Sequence, residues 1–341
     1  MRQRSVGIVA NPASGKDIRR IVTYSTPYGN QEKVNIIRRV LMALYAIGIR
    51  KVYYMPEYYN IVPQAANGIY DEHREMISDM EFEALDFMYL EKESDTIIAG
   101  KMMNEIGVDA VITLGGDGTN RAFVKEAGDL PIVPVSTGTN NAFPTMIEGT
   151  LAGLAAGIVA MGVCEDHSGV FKRTKKIELF VNGELADIAL IDLVVLEPGT
   201  IGARAMWSSS GIKEIFTTKC NPASIGISAI PGQLQTITDK DPIGMHLQIG
   251  EGGFHVKSAI APGLIIPIGI EDYEEMSIGQ MISVQTPCLI ALDGERSINI
   301  RSQDTAYIRL SDMGPRVVDI EEALRVARDK KFFFNDDGGR N

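Results

Sequence analysis

The chain has few of the residues that build disulfide frameworks or metal sites. Its 341 residues include only three cysteines (Cys164, Cys220 and Cys288) and four histidines, all scattered singly without a CxxC or HxxxH pair. This spacing argues against a zinc site or a set of disulfides. We therefore expect the thiols to stay reduced, as they do in a cytosol.

An excess of positive charge and a long apolar run are also missing. Lys and Arg total 33 against 44 Asp and Glu, which gives a net charge of −11. Nucleic-acid phosphates require clustered basic residues, so we expect no nucleic-acid partner. The most membrane-like stretch, 151–163, falls well short of the roughly 20 residues that a membrane span needs. No targeting segment is visible, and we expect a cytoplasmic protein without stable membrane association.

Composition and length instead indicate a globular protein with two domains. Hydrophobic residues make up 45% of the chain and charged residues 23%, and its length exceeds what one hydrophobic core usually serves. We predict an α/β nucleotide-binding domain over 1–168 and an all-β domain over 169–316. A C-terminal helix and tail over 317–341 are expected to pack back on the first domain.

The first half alternates short apolar runs with helical patterns. Strands separated by helices predict a parallel, Rossmann-like sheet with right-handed crossovers. Residues 57–94 are Tyr-rich and irregular in period, and we interpret them as an insertion near the substrate, without assigning regular structure. The predicted strands are 6–10, 51–55, 108–114 and 130–135, and the predicted helices are 31–49 and 96–106.

The second half changes to closely spaced β-like runs. Asn182-Gly183 is a strong hairpin signal between 176–181 and 184–196. Gly and Pro separate the later runs, so an antiparallel, sandwich-like domain is predicted, followed by a helix near 319–330. The later runs are 224–230, 245–249, 255–260, 264–270, 281–284, 288–292, 297–300 and 307–310.

The chemically informative segment is Leu114-Gly-Gly-Asp-Gly-Thr-Asn120, where a buried strand gives way to a helix. Gly115, Gly116 and Gly118 let backbone amides approach an anion and permit positive φ. Thr119 or Asn120 is expected to cap the helix, whose N-terminus favours phosphate. Asp117 lies among these donors. A carboxylate in this place is suited to be the base that takes the proton of an attacking hydroxyl, or a group that acts through Mg²⁺. A tight turn with Asp117 as a simple cap explains the segment equally well.

Two more polar loops follow predicted strands. Asn11, Ser14 and Gly15 follow the first strand, and Gly138, Thr139, Asn140 and Asn141 follow the run that ends at 135. Each loop alone is more often a polar turn. Three such loops at the carboxyl ends of parallel strands are expected to converge on one crevice, which favours a nucleotide site. A second Asn-Pro-Ala-Ser, at 221–224, is interpreted as a turn.

In their order along the chain, Asn-Pro-Ala-Ser-Gly, Gly-Gly-Asp-Gly-Thr, Gly-Thr-Asn-Asn and Leu-Asp-Gly-Glu resemble the superfamily of NAD kinases, diacylglycerol kinases and sphingosine kinases. The sequence is most similar to the predicted ATP-NAD kinases related to acetoin-catabolism protein X. The resemblance spans residues 5–310. It implies an α/β N-terminal domain, an all-β C-terminal domain and ATP bound in the cleft.

The resemblance also implies roles for single residues. Asp117 would be the catalytic base, and Asp293 and Glu295 would lie near the metal and phosphates, with no metal site built from protein alone. The implied nucleotide-binding set is Asn11, Ser14, Gly15, Gly115, Gly116, Gly118, Thr119, Asn120, Gly138, Thr139, Asn140 and Asn141. The Thr-Gly-Thr-Asn-Asn segment is closer to lipid kinases, and the Asn-Glu pair of typical NAD kinases is missing after the glycine loop.

Three hypotheses about function stay open at this stage. The first is an ATP- and Mg²⁺-dependent kinase that phosphorylates the 2′-hydroxyl of NAD(H) to make NADP(H). The second is a lipid or small-alcohol kinase on the same scaffold. The third is a nucleotide sensor without turnover. In each case the expected partners are small nucleotides, and we expect a homo-oligomer.

Overall fold

The computed structural model describes residues 2–14, 29–72, 78–138, 141–199, 211–294 and 296–334. Its first sheet contains β1 (Ser5–Ala10), β2 (Lys51–Tyr54), β3 (Glu81–Ala84), β4 (Ala110–Gly115) and β5 (Ile132–Ser136). These strands lie in the order β3-β2-β1-β4-β5, and every neighbouring pair is parallel. The predicted parallel sheet is therefore confirmed.

Helices cover this sheet. They are α1 (Asn30–Ala46), α2 (Ile61–Glu72), α3 (Glu93–Ile106), α4 (Asp117–Val124) and α5 (Gly149–Ala160). Helix α1 buries the apolar stripe that its spacing predicted, and α3 ends at Gly107 with φ 74°, as expected for a left-handed C-terminal glycine. Close packing of α1 on α5 needs Gly153, where a Cβ would stand 2.7 Å from the Val40 carbonyl oxygen.

Residues 57–94 contain regular structure, although none was assigned to them from the sequence. The region contains α2 and β3 and the first residues of α3. Ile61, Val62, Ala65 and Ile69 of α2 are buried in the first core. Their helical spacing was obscured because tyrosines and charged residues surround them in the sequence.

Two antiparallel sheets form the second domain. One has the order β12-β11-β10-β9-β14-β15 and the other β13-β16-β7-β8, and side chains from both, such as Leu179, Phe216 and Ile308, share one core. The predicted sandwich is confirmed. The strands are β7 (Lys176–Val181), β8 (Glu184–Ala189), β9 (Asp192–Leu196), β10 (Ile212–Thr217), β11 (Ile243–Ala261), β12 (Leu264–Ser277), β13 (Met281–Val284), β14 (Cys288–Leu292), β15 (Arg296–Ile300) and β16 (Ala306–Ser311).

The hairpin between β7 and β8 has the predicted turn, with φ 53° at Asn182 and 85° at Gly183. Two other predictions were wrong. The run 184–196 is not one strand, because the chain leaves the smaller sheet after β8 and enters the larger sheet as β9. The run 224–230 is not a strand either: it ends in a short helix, α6 (Ala229–Gly232).

The end of the chain returns to the first domain. Strand β17 (Arg316–Val318) pairs with β5 and with β6 (Phe171–Arg173), so both strands extend the first sheet to seven strands. Helix α7 (Ile320–Asp329) begins at Asp319, whose carboxylate accepts the Glu322 amide, and buries Ala323, Val326 and Ala327 in the first core. Among the described residues, no helix is long and apolar enough to cross a membrane.

Candidate functional site

Three loops meet at the carboxyl edge of the first sheet. The side-chain amide nitrogen (Nδ2) of Asn11 donates to Thr119 Oγ1 at 2.9 Å, and the hydroxyls of Ser14 and Thr137 are 2.9 Å apart. The Thr137 amide donates to the Gly115 carbonyl at 3.3 Å. Because β1, β4 and β5 are adjacent and parallel, their following loops are brought into direct contact at this edge.

A buried lysine holds the first of these loops. Lys33 of α1 is fully buried, and its Nζ donates to the carbonyls of Asn11, Pro12 and Ser14 at 2.9, 3.2 and 2.7 Å. The Asn11 side chain also accepts the Ala13 amide at 2.9 Å. Sequence reasoning missed Lys33, although a lysine four residues before Ile37, on the apolar face of α1, is an available signal.

The glycines of the second loop are required by close approach to neighbouring side chains. A Cβ at Gly115 would stand 2.5 Å from the Thr119 side chain, and one at Gly116 would stand 2.9 Å from Asn141 Oδ1. Gly116 is the N-cap of α4 with φ −101°, and no side chain caps the helix. The expected positive φ and the expected cap by Thr119 or Asn120 are therefore not found there.

Asn120 holds the loop instead of facing solvent. Its side chain is fully buried, accepts the Thr113 hydroxyl at 2.6 Å and donates to the Gly116 carbonyl at 2.8 Å. In the third loop, the Ser136 hydroxyl accepts the Asn141 side-chain amide at 2.8 Å and donates to the Gly138 carbonyl at 2.7 Å. These bonds pre-form both loops before any ligand binds.

Asp117 is the first residue of α4 and is half-buried. Its Oδ1 accepts the Phe143 amide at 2.8 Å, and both of its oxygens are 3.1 Å from the Ala142 amide. Burial, with the Asp293 carboxylate adding repulsion, raises the pKa of Asp117 to about 6, although these amides and Lys219 oppose the shift. A carboxylate with this pKa is mostly ionised at neutral pH and is well matched to accept a proton.

Asp293 is bound by the backbone of the second domain. Its carboxylate accepts the amides of Leu190, Ile191 and Asp192 at 2.8–3.2 Å, where the chain passes from β8 to β9. Burial raises its pKa, opposed by Arg121 and these amides. Four other predicted site residues lie outside the described part of the chain: Gly15, Thr139, Asn140 and Glu295.

A cavity of ≈ 480 Å³ opens along the edge of the first sheet. This first cavity is lined by the loops after β1, β2, β3 and β4, including Asn11, Tyr58, Tyr89 and Thr119. Two of its acidic residues are already engaged by backbone amides: Glu57 accepts those of Tyr59 and Ile61, and Asp95 accepts those of Leu90 and Lys92. These backbone amides therefore fix the positions of both carboxylates on the cavity wall.

A second cavity, of ≈ 220 Å³, lies beside Ala142, the residue whose amide binds Asp117. Six of its nine lining residues have polar side chains, and all six come from the second domain: Lys219, Asn221, Ser224, Ser228, Thr238 and Asp239. The Asn-Pro-Ala-Ser at 221–224 forms the turn that the sequence indicated, because Asn221 Oδ1 accepts the Ala223 amide at 2.8 Å. The position of this turn at a cavity was not predicted, although the repetition of the Asn-Pro-Ala-Ser tetrapeptide of the first loop was an available signal.

The arrangement thus supplies a proton-accepting carboxylate at the N-terminus of α4, next to residues that line the two cavities. Helix N-termini and closely approaching backbone amides bind phosphates. Within the described residues, no group of three His, Cys, Asp or Glu side chains is placed to hold a metal ion. The chemistry that fits these groups is transfer of a phosphoryl group to a hydroxyl.

Comparison with known proteins agrees with this geometry. Residues 6–163 match the ATP-NAD kinase N-terminal domain, and residues 175–313 match the acetoin catabolism protein X C-terminal domain. Acetoin catabolism protein X from Cupriavidus necator is 34% identical over 333 residues, which cover 94% of this chain and 92% of that relative.

Proposed function

Since this chain belongs to the family of acetoin catabolism protein X and carries an ATP-NAD kinase N-terminal domain, we propose that it phosphorylates NAD(H) with ATP. The γ-phosphoryl group would pass to the 2′-hydroxyl of the adenosine ribose and give NADP(H). The observation that carries the proposal is the position of Asp117 at the N-terminus of α4: the next two residues, Gly118 and Thr119, line the first cavity, and Ala142, whose amide it accepts, lines the second.

Asp117 acts as the general base. Its Oδ1 is fixed by the Phe143 amide, while Oδ2 accepts only the Ala142 amide among the described residues and can receive the substrate hydroxyl. As the ribose oxygen attacks the γ-phosphorus, its proton moves to Asp117, the P–O bond to ADP breaks and ADP leaves. Positioning and electrostatics supply most of the rate in such transfers.

The first cavity suits the phosphoryl donor. Gly118 and Thr119 lie at its β4 end, beside the amides of the α4 N-terminus, and Tyr58 and Tyr89 lie in the loops after β2 and β3. Strands are about 4.8 Å apart, so β4 and β3 are separated by about 14 Å, which is enough for an extended nucleotide. Because ATP phosphates hold Mg²⁺ with few protein ligands, the ion would arrive with the nucleotide and neutralise charge on the transferred group.

The second cavity suits a polar acceptor. Lys219, Asn221 and Ser224 offer a cation, an amide and a hydroxyl to a phosphate- and ribose-bearing molecule. A diacylglycerol or sphingosine acceptor would need an apolar trough beside Asp117, whereas this cavity presents the charged side chains of Lys219 and Asp239. The identity of the product separates the lipid-kinase alternative from our proposal, and the presence of any turnover separates the nucleotide-sensor alternative. Cytoplasmic location and a homo-oligomeric state stay predictions.

The test is a product assay with purified protein, ATP and Mg²⁺, in parallel reactions containing NAD, NADH or diacylglycerol. We expect NADP or NADPH, identified by mass and by an NADP-specific dehydrogenase, and no product with Asp117→Asn. Phosphatidic acid as the only product would replace our proposal with the lipid-kinase alternative. Nucleotide binding by calorimetry without any product would establish the sensor alternative.

A further inference from the structure

Arg121 is one helical turn after Asp117 on α4, and its side chain is only 2% exposed. Residues four apart lie on one face of a helix, so both side chains are directed to the same side. The guanidinium is shared by three carboxylates: Nη2 is 3.2 Å from Glu93, Nη1 is 3.4 Å from Asp187, and Nε is 3.7 Å from Asp293.

These carboxylates belong to different parts of the fold. Glu93 begins α3 in the first domain, whereas Asp187 lies on β8 and Asp293 follows β14 in the second domain. Lys125 also contacts Glu93 and Asp187, at 3.0 and 2.6 Å, and Arg296 contacts the same two at 3.3 and 2.6 Å. Within the described residues, Arg121 is the one cation that reaches Asp293.

We infer that Arg121 is a positioning residue, which fastens the Asp293 loop of the second domain to the helix that carries Asp117. The planar guanidinium can face three carboxylates at once, which a lysine ammonium on a flexible stem cannot do in the same geometry. Arg121 and Glu93 also line the first cavity. Arg121 therefore joins the wall of the first cavity to the second domain, one helical turn after Asp117.

This inference deepens the proposed function, and its kinetic test rests on that function. Arg121→Met removes the link to Asp293, and Lys125→Met is the matched control, since Lys125 contacts the same Glu93 and Asp187 without reaching Asp293. Misplacing a reacting group by about 1 Å can lower turnover by about 100-fold. We expect kcat to fall by about that factor in Arg121→Met with the KM for ATP nearly unchanged, and partial recovery in Arg121→Lys.

Two kinetic results would overturn the inference. One is a raised KM for ATP at unchanged kcat, because Arg121 would then bind the donor itself. The other is an equal loss of kcat in Lys125→Met, because the cluster would then act only by holding the domains together.

A second measurement needs no turnover and therefore separates failure of this inference from failure of the proposed function. It is a double-mutant cycle on thermal unfolding with Arg121→Met and Asp293→Asn. Arg121→Met leaves the buried Asp293 without the cation that faces it, and Asp293→Asn leaves Arg121 with one carboxylate fewer, so we expect the double variant to be less destabilised than the two losses summed. Additive losses would show that the two residues are not coupled and would refute the link.

Discussion

The side-chain amide of Asn11 donates to the hydroxyl of Thr119 at 2.9 Å and so joins the loop after β1 to the loop after β4. The two residues are 108 positions apart in the chain. The same asparagine folds its own loop by accepting the Ala13 amide, and Asn221 does this for the loop beside the second cavity. The two Asn-Pro-Ala-Ser turns therefore form a matched pair for experiment.

Alanine substitutions of these two asparagines should raise the KM values of different substrates. We expect Asn11→Ala to raise the KM for ATP by up to about 10-fold and leave the KM for NAD nearly unchanged, because a lost neutral hydrogen bond is worth about 0.5–1.5 kcal/mol. Asn221→Ala should have the opposite pattern. Initial rates with each substrate varied in turn measure both values, and an equal effect of both variants on both substrates would refute the assignment of the cavities.

Replacing the base should abolish turnover while stabilising the fold. We expect Asp117→Asn to lower kcat by about 1,000-fold or more. The raised pKa of Asp117, about 6 against an ordinary 3.8, means that its ionised form disfavours the folded state. Above pH 6 the variant should gain about 1–3 kcal/mol in free energy of unfolding, and the gain should vanish below about pH 4. Chemical denaturation at pH 8 and pH 4 checks the sign.

The rate should also depend on pH through this carboxyl. Protonation below its pKa removes the base, so kcat/KM should fall as the pH decreases through about 6. Asp293→Asn removes the neighbouring negative charge and should move this midpoint to lower pH. A midpoint that stays at the wild-type value in Asp293→Asn would show that burial alone sets the pKa.

Lys33 should stabilise both the fold and the donor site. Lys33→Met leaves the carbonyls of Asn11, Pro12 and Ser14 without their donor, and unsatisfied buried polar groups lower stability by about 1–3 kcal/mol each. We expect a loss of at least about 2 kcal/mol in urea unfolding and a raised KM for ATP. Lys101→Met, at a lysine that is 61% exposed, is the control and should change neither quantity.

What the sequence predicted well was local. The Asn182-Gly183 hairpin is encoded by residues that are adjacent in the chain, so its turn follows from their conformational preferences. The glycine loop was placed correctly between β4 and α4, but its predicted positive φ and cap were wrong. Lys33 and Arg121 were missed because their partners are contributed by distant segments. Helix α2 was missed because its apolar face lies within a polar, Tyr-rich stretch, and the division of 184–196 into two strands depends on Asp293, about 100 residues later.

The pairing of β6 with β17 has a consequence for how the molecule can be rebuilt. Lys172 and Val317 are directly opposite each other on these antiparallel strands, so the chain leaves the first domain and returns to it at one place. The whole β-sandwich is thus inserted between two adjacent, paired strands, β6 and β17. We expect that replacing this domain by the corresponding domain of a relative, with β6 and β17 kept, would change which acceptor is bound while Asp117 and its loop stay the same.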